Sequence, residues 1–116
     1  MQYFSMSHAM RGMGFMVLSK KTEQCFLLDY GTNLSLVVES MKRENPKDTS
    51  KIKYEFYKLQ MNKKQSHILK IYCTEVTSIV CVTKVARHLL FMMNKGYLEG
   101  GQKIYNEALK YRDLKR

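Results

Sequence analysis

Acidic residues are scarce in this chain: 10 Asp and Glu stand against 20 Lys and Arg in 116 residues, leaving a formal charge of +10. That imbalance points to nucleic acid, an anionic membrane surface or an acidic protein partner, or to nothing more than a well-solvated surface. Cysteine is sparse as well. Cys25, Cys73 and Cys81 form an odd set without a CxxC spacing, each inside an apolar run where a small hydrophobe packs equally well, so a disulfide framework is not expected and a reducing compartment is. No apolar run approaches the roughly 20 residues that a membrane-spanning helix needs. The start of the chain shows neither a basic n-region nor a continuous apolar h-region, and no terminal glycine or cysteine is placed for lipidation. A cytoplasmic protein is expected, with any membrane contact made through charge or an anchored partner.

Catalytic patterns are also missing. His8, His67 and His88 have no close-spaced ligand partners, Cys73 has no recognisable His and Asn or Asp set, and the acids form no paired-carboxylate signature. Gly100-Gly101 precedes a helical pattern but lacks the Walker Lys-Ser/Thr, which makes it a turn device. Neither an enzyme nor a cofactor or metal site is expected. The 45% apolar content is that of an ordinary globular protein, and a chain this long buries roughly two thirds of its unfolded surface, so residues 1–116 are read as one domain.

What the chain does hold is a dense apolar block, Leu69 to Lys95. His67–Cys73 and Thr77–Thr83 are rich in β-branched residues, and His88–Met93 is a third apolar run, so the block reads as the centre of a sheet covered by helices. Upstream, a helical stripe through Met6, Met10 and Met13 predicts a short helix over residues 2–12, stopped by Gly12 and Gly14. Phe15–Leu18 and Cys25–Leu28 flank a polar loop and read as a β-hairpin. Asn33 is placed to cap a turn or helix carrying Leu34, Leu36, Val37, Val38 and Met41. Ile104, Ala108, Tyr111 and Leu114 predict a final helix over 102–114, with Lys110, Arg112, Lys115 and Arg116 at the negative end of its dipole. Together with Lys84 and Arg87 these form a basic cluster, read first as a solvated face.

Residues 51–60, KIKYEFYKLQ, admit two periods. With period two, Ile52, Tyr54 and Phe56 face one way and Lys51, Lys53 and Glu55 the other, as in a half-buried strand. With period 3.6, Ile52, Phe56 and Leu59 form a stripe on a helix that starts at Pro46, with Asp48 near its positive end.

Read as a helix, the segment completes an order of helix, two strands, helix, three strands, helix. Leu69-Lys70, Val82-Thr83-Lys84-Val85-Ala86, Leu89-Leu90, Met92 and Lys95 then fall at intervals that resemble the roadblock family, most closely a roadblock subunit of the Ragulator complex. Ser50 and Ile52 fall on that family's central helix, and Gly14 on the turn into its first strand. The resemblance implies a roadblock/profilin-like α/β (α+β) single domain, with a mostly antiparallel five-stranded sheet flanked by helices. It also implies a non-enzymatic scaffold that pairs with a second roadblock-type protein, edge to edge and with central helices antiparallel, through Ile52, Phe56 and Leu59. Such a dimer belongs to a larger complex at late endosomes or lysosomes that positions Rag-type GTPases for mTORC1 signalling and reaches the membrane through an anchored partner. On that reading Phe56→Asp abolishes pairing.

Read as a strand, the same segment makes the chain similar to the small Alu-RNA-binding subunits of the signal recognition particle. RNA is then the implied partner, with Lys51, Lys53, Lys58, Lys63, Lys64 and Lys70 meeting phosphates and Tyr54 and Tyr57 stacking on bases or packing.

Overall fold

A hairpin turn organises the centre of the fold. The computed structural model describes residues 4–18, 23–41, 52–62 and 64–114. Within them Gly31 and Asn33 both take left-handed backbone angles (φ 63° and 60°), and the Tyr30 amide donates to the Leu34 carbonyl at 2.9 Å. Gly and Asn tolerate that region where most residues do not, so the turn folds strand β2 (Cys25–Asp29) back on β3 (Leu34–Ser40). Asn33 is therefore a hairpin residue, and the turn or helix expected after it is a strand. Leu36 and Val38 point one way and Ser35 and Val37 the other, and all four are buried, as befits the middle strand of a sheet.

Five strands form one antiparallel meander in the order β1 (Met16–Val17), β2, β3, β4 (Tyr54–Met61), β5 (Ser66–Val76). The hairpin between β1 and β2 forms as the alternation predicts, pairing Met16 with Leu27. The two periods of residues 51–60 are decided in favour of period two. Phe56 lies opposite Val38 and Cys73 on the helix-covered face, while Leu59 lies opposite Ser35 and Ile68 on the other. A helical stripe through Phe56 and Leu59 does not exist, and the part of the expected pairing helix that falls within the described residues is β4. Pro46, Asp48 and Ser50 lie outside those residues.

Helix α1 (Met6–Gly12) is capped by Ser5, whose hydroxyl accepts from the His8 amide at 3.2 Å. Its Met6, Ala9 and Met10 enter the core. Helix α2 (Ser78–Asn94) replaces two of the expected strands, 77–83 and 88–93. The Thr77 hydroxyl accepts from the Val80 amide, and Cys81, Val82, Val85, Ala86, Leu89 and Leu90 recur at helical spacing on one buried face. The β-branched residues that suggested strands lose to this pattern, because burying a complete helical stripe outweighs a propensity difference of a few tenths of a kcal/mol per residue. The sheet centre is accordingly β3 rather than the block from 69 to 95. Helix α3 (Gly101–Tyr111) forms where the spacing predicts a helix over 102–114, starting one residue earlier and ending three earlier, and packs against α2 and α1.

All three helices share one core with the sheet, built around Phe26, Val38 and Phe56 from the strands and Val82, Val85 and Leu89 from α2. The chain is an α+β domain with a five-stranded antiparallel sheet flanked by helices. Among the described residues no helix is long and apolar enough to cross a membrane.

Candidate functional site

Two features of the surface stand apart from ordinary solvated faces, and both involve β5. The first is its edge. β5 is the last strand of the sheet order and runs for 11 residues with most of its side chains exposed. Ile68, Leu69 and Ile71 are 53%, 48% and 55% exposed, and Met61, at the neighbouring end of β4, is 47% exposed. A long edge strand presents one row of unpaired amides and carbonyls, and proteins commonly blunt such edges with proline, charge or brevity. Here Lys70 lies between two exposed apolar residues, and proline is absent. Two of the three register shifts against β4 leave Leu69 and Tyr72 as extra residues on β5.

The sheet face turned away from the core carries a row of side chains from all five strands: Met16, Leu27, Val37, Tyr57 and Ile71 lie in cross-strand register. Beside it Glu39 and Glu55 are directly opposed. The Tyr57 hydroxyl donates to Glu39 Oε1 at 3.0 Å, and partial burial together with this acidic neighbour pushes the Tyr57 phenol well above its ordinary range. Partial burial, and then the facing Glu39, likewise raise the Glu55 carboxyl.

The second feature is a cavity of about 380 Å³ on the helix side, between the β2–β3 turn and the C-terminal half of α2. Five aromatic side chains line it, Tyr30, Tyr72, His88, Phe91 and Tyr97, together with Leu34 and Met92, and Lys58 reaches it from β4. The rings form a chain: Tyr72 and His88 have centroids 4.3 Å apart, His88 and Phe91 are stacked at 6.1 Å, and Phe91 and Tyr97 follow at 6.3 Å. Lys58 and Lys70 are cross-strand neighbours, and Lys70 Nζ stands 5.6 Å from the centre of the Tyr72 ring. Burial lowers the His88 pKa below its ordinary value, and the positive charges of Lys70 and Lys58 lower it further, keeping the imidazole neutral at pH 7.

The residues singled out from sequence scatter across this framework. Ile52 is half-buried against the core just ahead of β4, Phe56 is fully buried, and Leu59 is half-buried on the opposite face, so the three form no common surface. Lys53 and Lys64 are exposed at opposite ends of β4, whereas Lys58 faces the cavity. Lys51 and Lys63 lie outside the described residues. Tyr54 and Tyr57 are buried, the former donating to Gln24 Oε1 at 2.8 Å, which removes both as stacking platforms. The C-terminal basic cluster is partly tied up internally. Arg87 Nε donates to the Arg112 carbonyl at 3.0 Å, Asp113 meets both arginines, and Lys110 pairs with Glu107 at 2.7 Å. Lys115 and Arg116 lie outside the described residues.

The aromatic wall was not read from sequence. Once 78–94 is seen as a helix, His88, Phe91 and Met92 fall on one face at i, i+3 and i+4, and that spacing is the signal that was available. Among the described residues no three His, Cys, Asp or Glu side chains converge as a metal site. Cys73 and Cys81 are free thiols that perturb one another: the Cys81 side chain lowers the Cys73 thiol, while Cys73 and then burial raise that of Cys81.

No protein-family model, curated protein or solved structure matches this chain.

Proposed function

We propose that this chain is a non-enzymatic interaction module that works by pairing its β5 edge with a strand of a second protein. The observation that carries this reading is the 11-residue edge strand with Ile68, Leu69 and Ile71 each about half exposed. Adding a strand there satisfies backbone donors and acceptors that otherwise face water, and the alternate side chains supply apolar contact and register. Of the two contacts that the roadblock resemblance implies, this reading keeps the edge-to-edge pairing, at β5, and drops the central-helix pairing, because Phe56 lies in the core and Leu59 on the other side of the sheet.

The test is association of the purified chain, and of the chain with a captured cytosolic partner, followed by amide hydrogen exchange. Exchange at residues 66–76 slows in the complex, and the exposed-site double variant Ile68→Lys/Ile71→Lys loses association while keeping its circular dichroism spectrum. A complex that forms equally well with the double variant, or that leaves exchange in β5 unchanged, refutes the edge as the pairing surface.

A further inference from the structure

The aromatic cavity has a chemistry that pairing through the edge does not use. Lys58 and Lys70 sit directly opposite each other on β4 and β5, both on the side of the sheet that faces His88. Like charges in cross-strand register destabilise a sheet unless something neutralises them. Among the described residues neither lysine has a carboxylate partner. Lys58 therefore lines one end of the cavity, Lys70 stands beside that end over the Tyr72 ring without lining it, and five aromatic side chains line the remainder together with Leu34 and Met92. At its mouth Phe91 and Tyr97 remain 50% and 64% exposed, an apolar area that nothing in the described chain covers.

We propose that this cavity binds a nucleotide unit, with the base against the Tyr72, Phe91 and Tyr97 rings and the phosphate between Lys58 and Lys70. Three features favour this ligand over other anions. Flat ring walls reward a planar π system, two adjacent cations suit a phosphate better than a single carboxylate, and a neutral imidazole among the rings can exchange hydrogen bonds with a base edge. The cavity volume of about 380 Å³ lies at the small end of ligand pockets and suits one such unit rather than a dinucleotide. The unit is either a free nucleotide or one residue of a single strand.

The chain has eight tyrosines and no tryptophan, so stacking of a base is read directly by quenching of tyrosine fluorescence. The full-length protein is titrated separately with adenosine monophosphate and with a short single-stranded oligoadenylate, with inorganic phosphate and laurate as competitors. Saturable quenching is expected with at least one nucleic probe. Saturation by the monophosphate identifies a free nucleotide as sufficient, and saturation by the oligomer alone identifies a strand. Phe91→Ala and Tyr97→Ala, at exposed positions that leave the fold intact, weaken binding about tenfold each. Lys58→Gln and Lys70→Gln weaken binding and flatten its salt dependence. The proposal is overturned if neither probe saturates, if phosphate or laurate reverses the quenching at the concentration at which the nucleotide itself half-saturates, or if the ring and lysine variants bind like the wild type, which would place binding elsewhere on the basic surface.

Discussion

Phe56 separates a core role from an interface role, and its truncation can be worked through quantitatively. The side chain is fully buried, lies opposite Val38 and Cys73 in the sheet, and meets the Tyr72 ring at 4.7 Å and the His88 ring at 5.8 Å. Phe56→Ala removes a ring from the centre of the core and leaves a cavity walled by a β-sheet and a helix, neither of which can collapse far. Substitutions of this kind cost about 3–5 kcal/mol, against a total stability of about 5–15 kcal/mol for a domain of ordinary size. With a urea m-value of about 2 kcal/mol/M, the unfolding midpoint falls by roughly 2 M. The assay is urea unfolding of the isolated chain, followed by far-ultraviolet circular dichroism and read alongside the oligomeric state. Leu59→Ala, at a half-buried site on the other face, is the internal comparison and costs about 1–2 kcal/mol. Phe56→Asp unfolds the chain outright, since a carboxylate at that depth has no compensating partner. A loss below about 1 kcal/mol for Phe56→Ala, coupled with loss of association, would return Phe56 to an interface and refute its placement here.

Two further perturbations test the framework at other points. Gly14 has φ 93°, and a Cβ there would come within 2.7 Å of Ile104 Cδ1, so Gly14→Ala strains the turn and displaces the end of the Ile104 side chain; thermal unfolding should register a loss of about 1–3 kcal/mol. Glu55 faces Glu39 across the sheet, and its raised native pKa means that the folded state holds a proton more tightly than the unfolded one. The stabilisation this represents is fully present below the unfolded value of 4.5 and is lost as pH rises through the native pKa. Glu55→Gln therefore raises the melting temperature at pH 7, by roughly 2 °C for this half-buried facing pair, and gives no gain at pH 4; an equal gain at both values contradicts the repulsion.

Local punctuation was legible in the sequence, and long-range choice was not. The Gly12–Gly14 break, the hairpin joining Met16–Val17 to Cys25–Asp29 and the 102–114 stripe all act within a few residues of themselves and appear close to where their spacing places them, while the first helix starts after Ser5 rather than at residue 2. Residues 77–93 failed for a definable reason. Val80, Val82 and Val85 favour strands by propensity, yet the same stretch also satisfies a two-residue buried stripe repeating every four, and only a sheet waiting to be covered selects the second. Residues 34–40 failed the opposite way, because burial on both faces of a central strand erases the alternation by which strands are recognised.

The lysines show how those errors propagate into function. Lys58 and Lys70 were read as two among many basic residues, which carries no information about place. Register makes them neighbours: with 54–61 as a strand, 66–76 returns beside it and sets one ammonium against the other. With 78–94 as a helix, His88 and Phe91 come down on the same spot from above. The positive charge thereby gains a location and an aromatic setting that neither the composition nor any linear motif contains. Tolerating two facing ammonium groups costs the sheet stability, a cost of about 0.2–1 kcal/mol that one of the two substitutions would relieve. Lys58→Gln, which relieves the repulsion and keeps the Lys70 contact with the Tyr72 ring, should consequently stabilise the unliganded chain while weakening nucleotide binding, and this opposition of signs distinguishes a charge pair held for a ligand from one that is merely solvated.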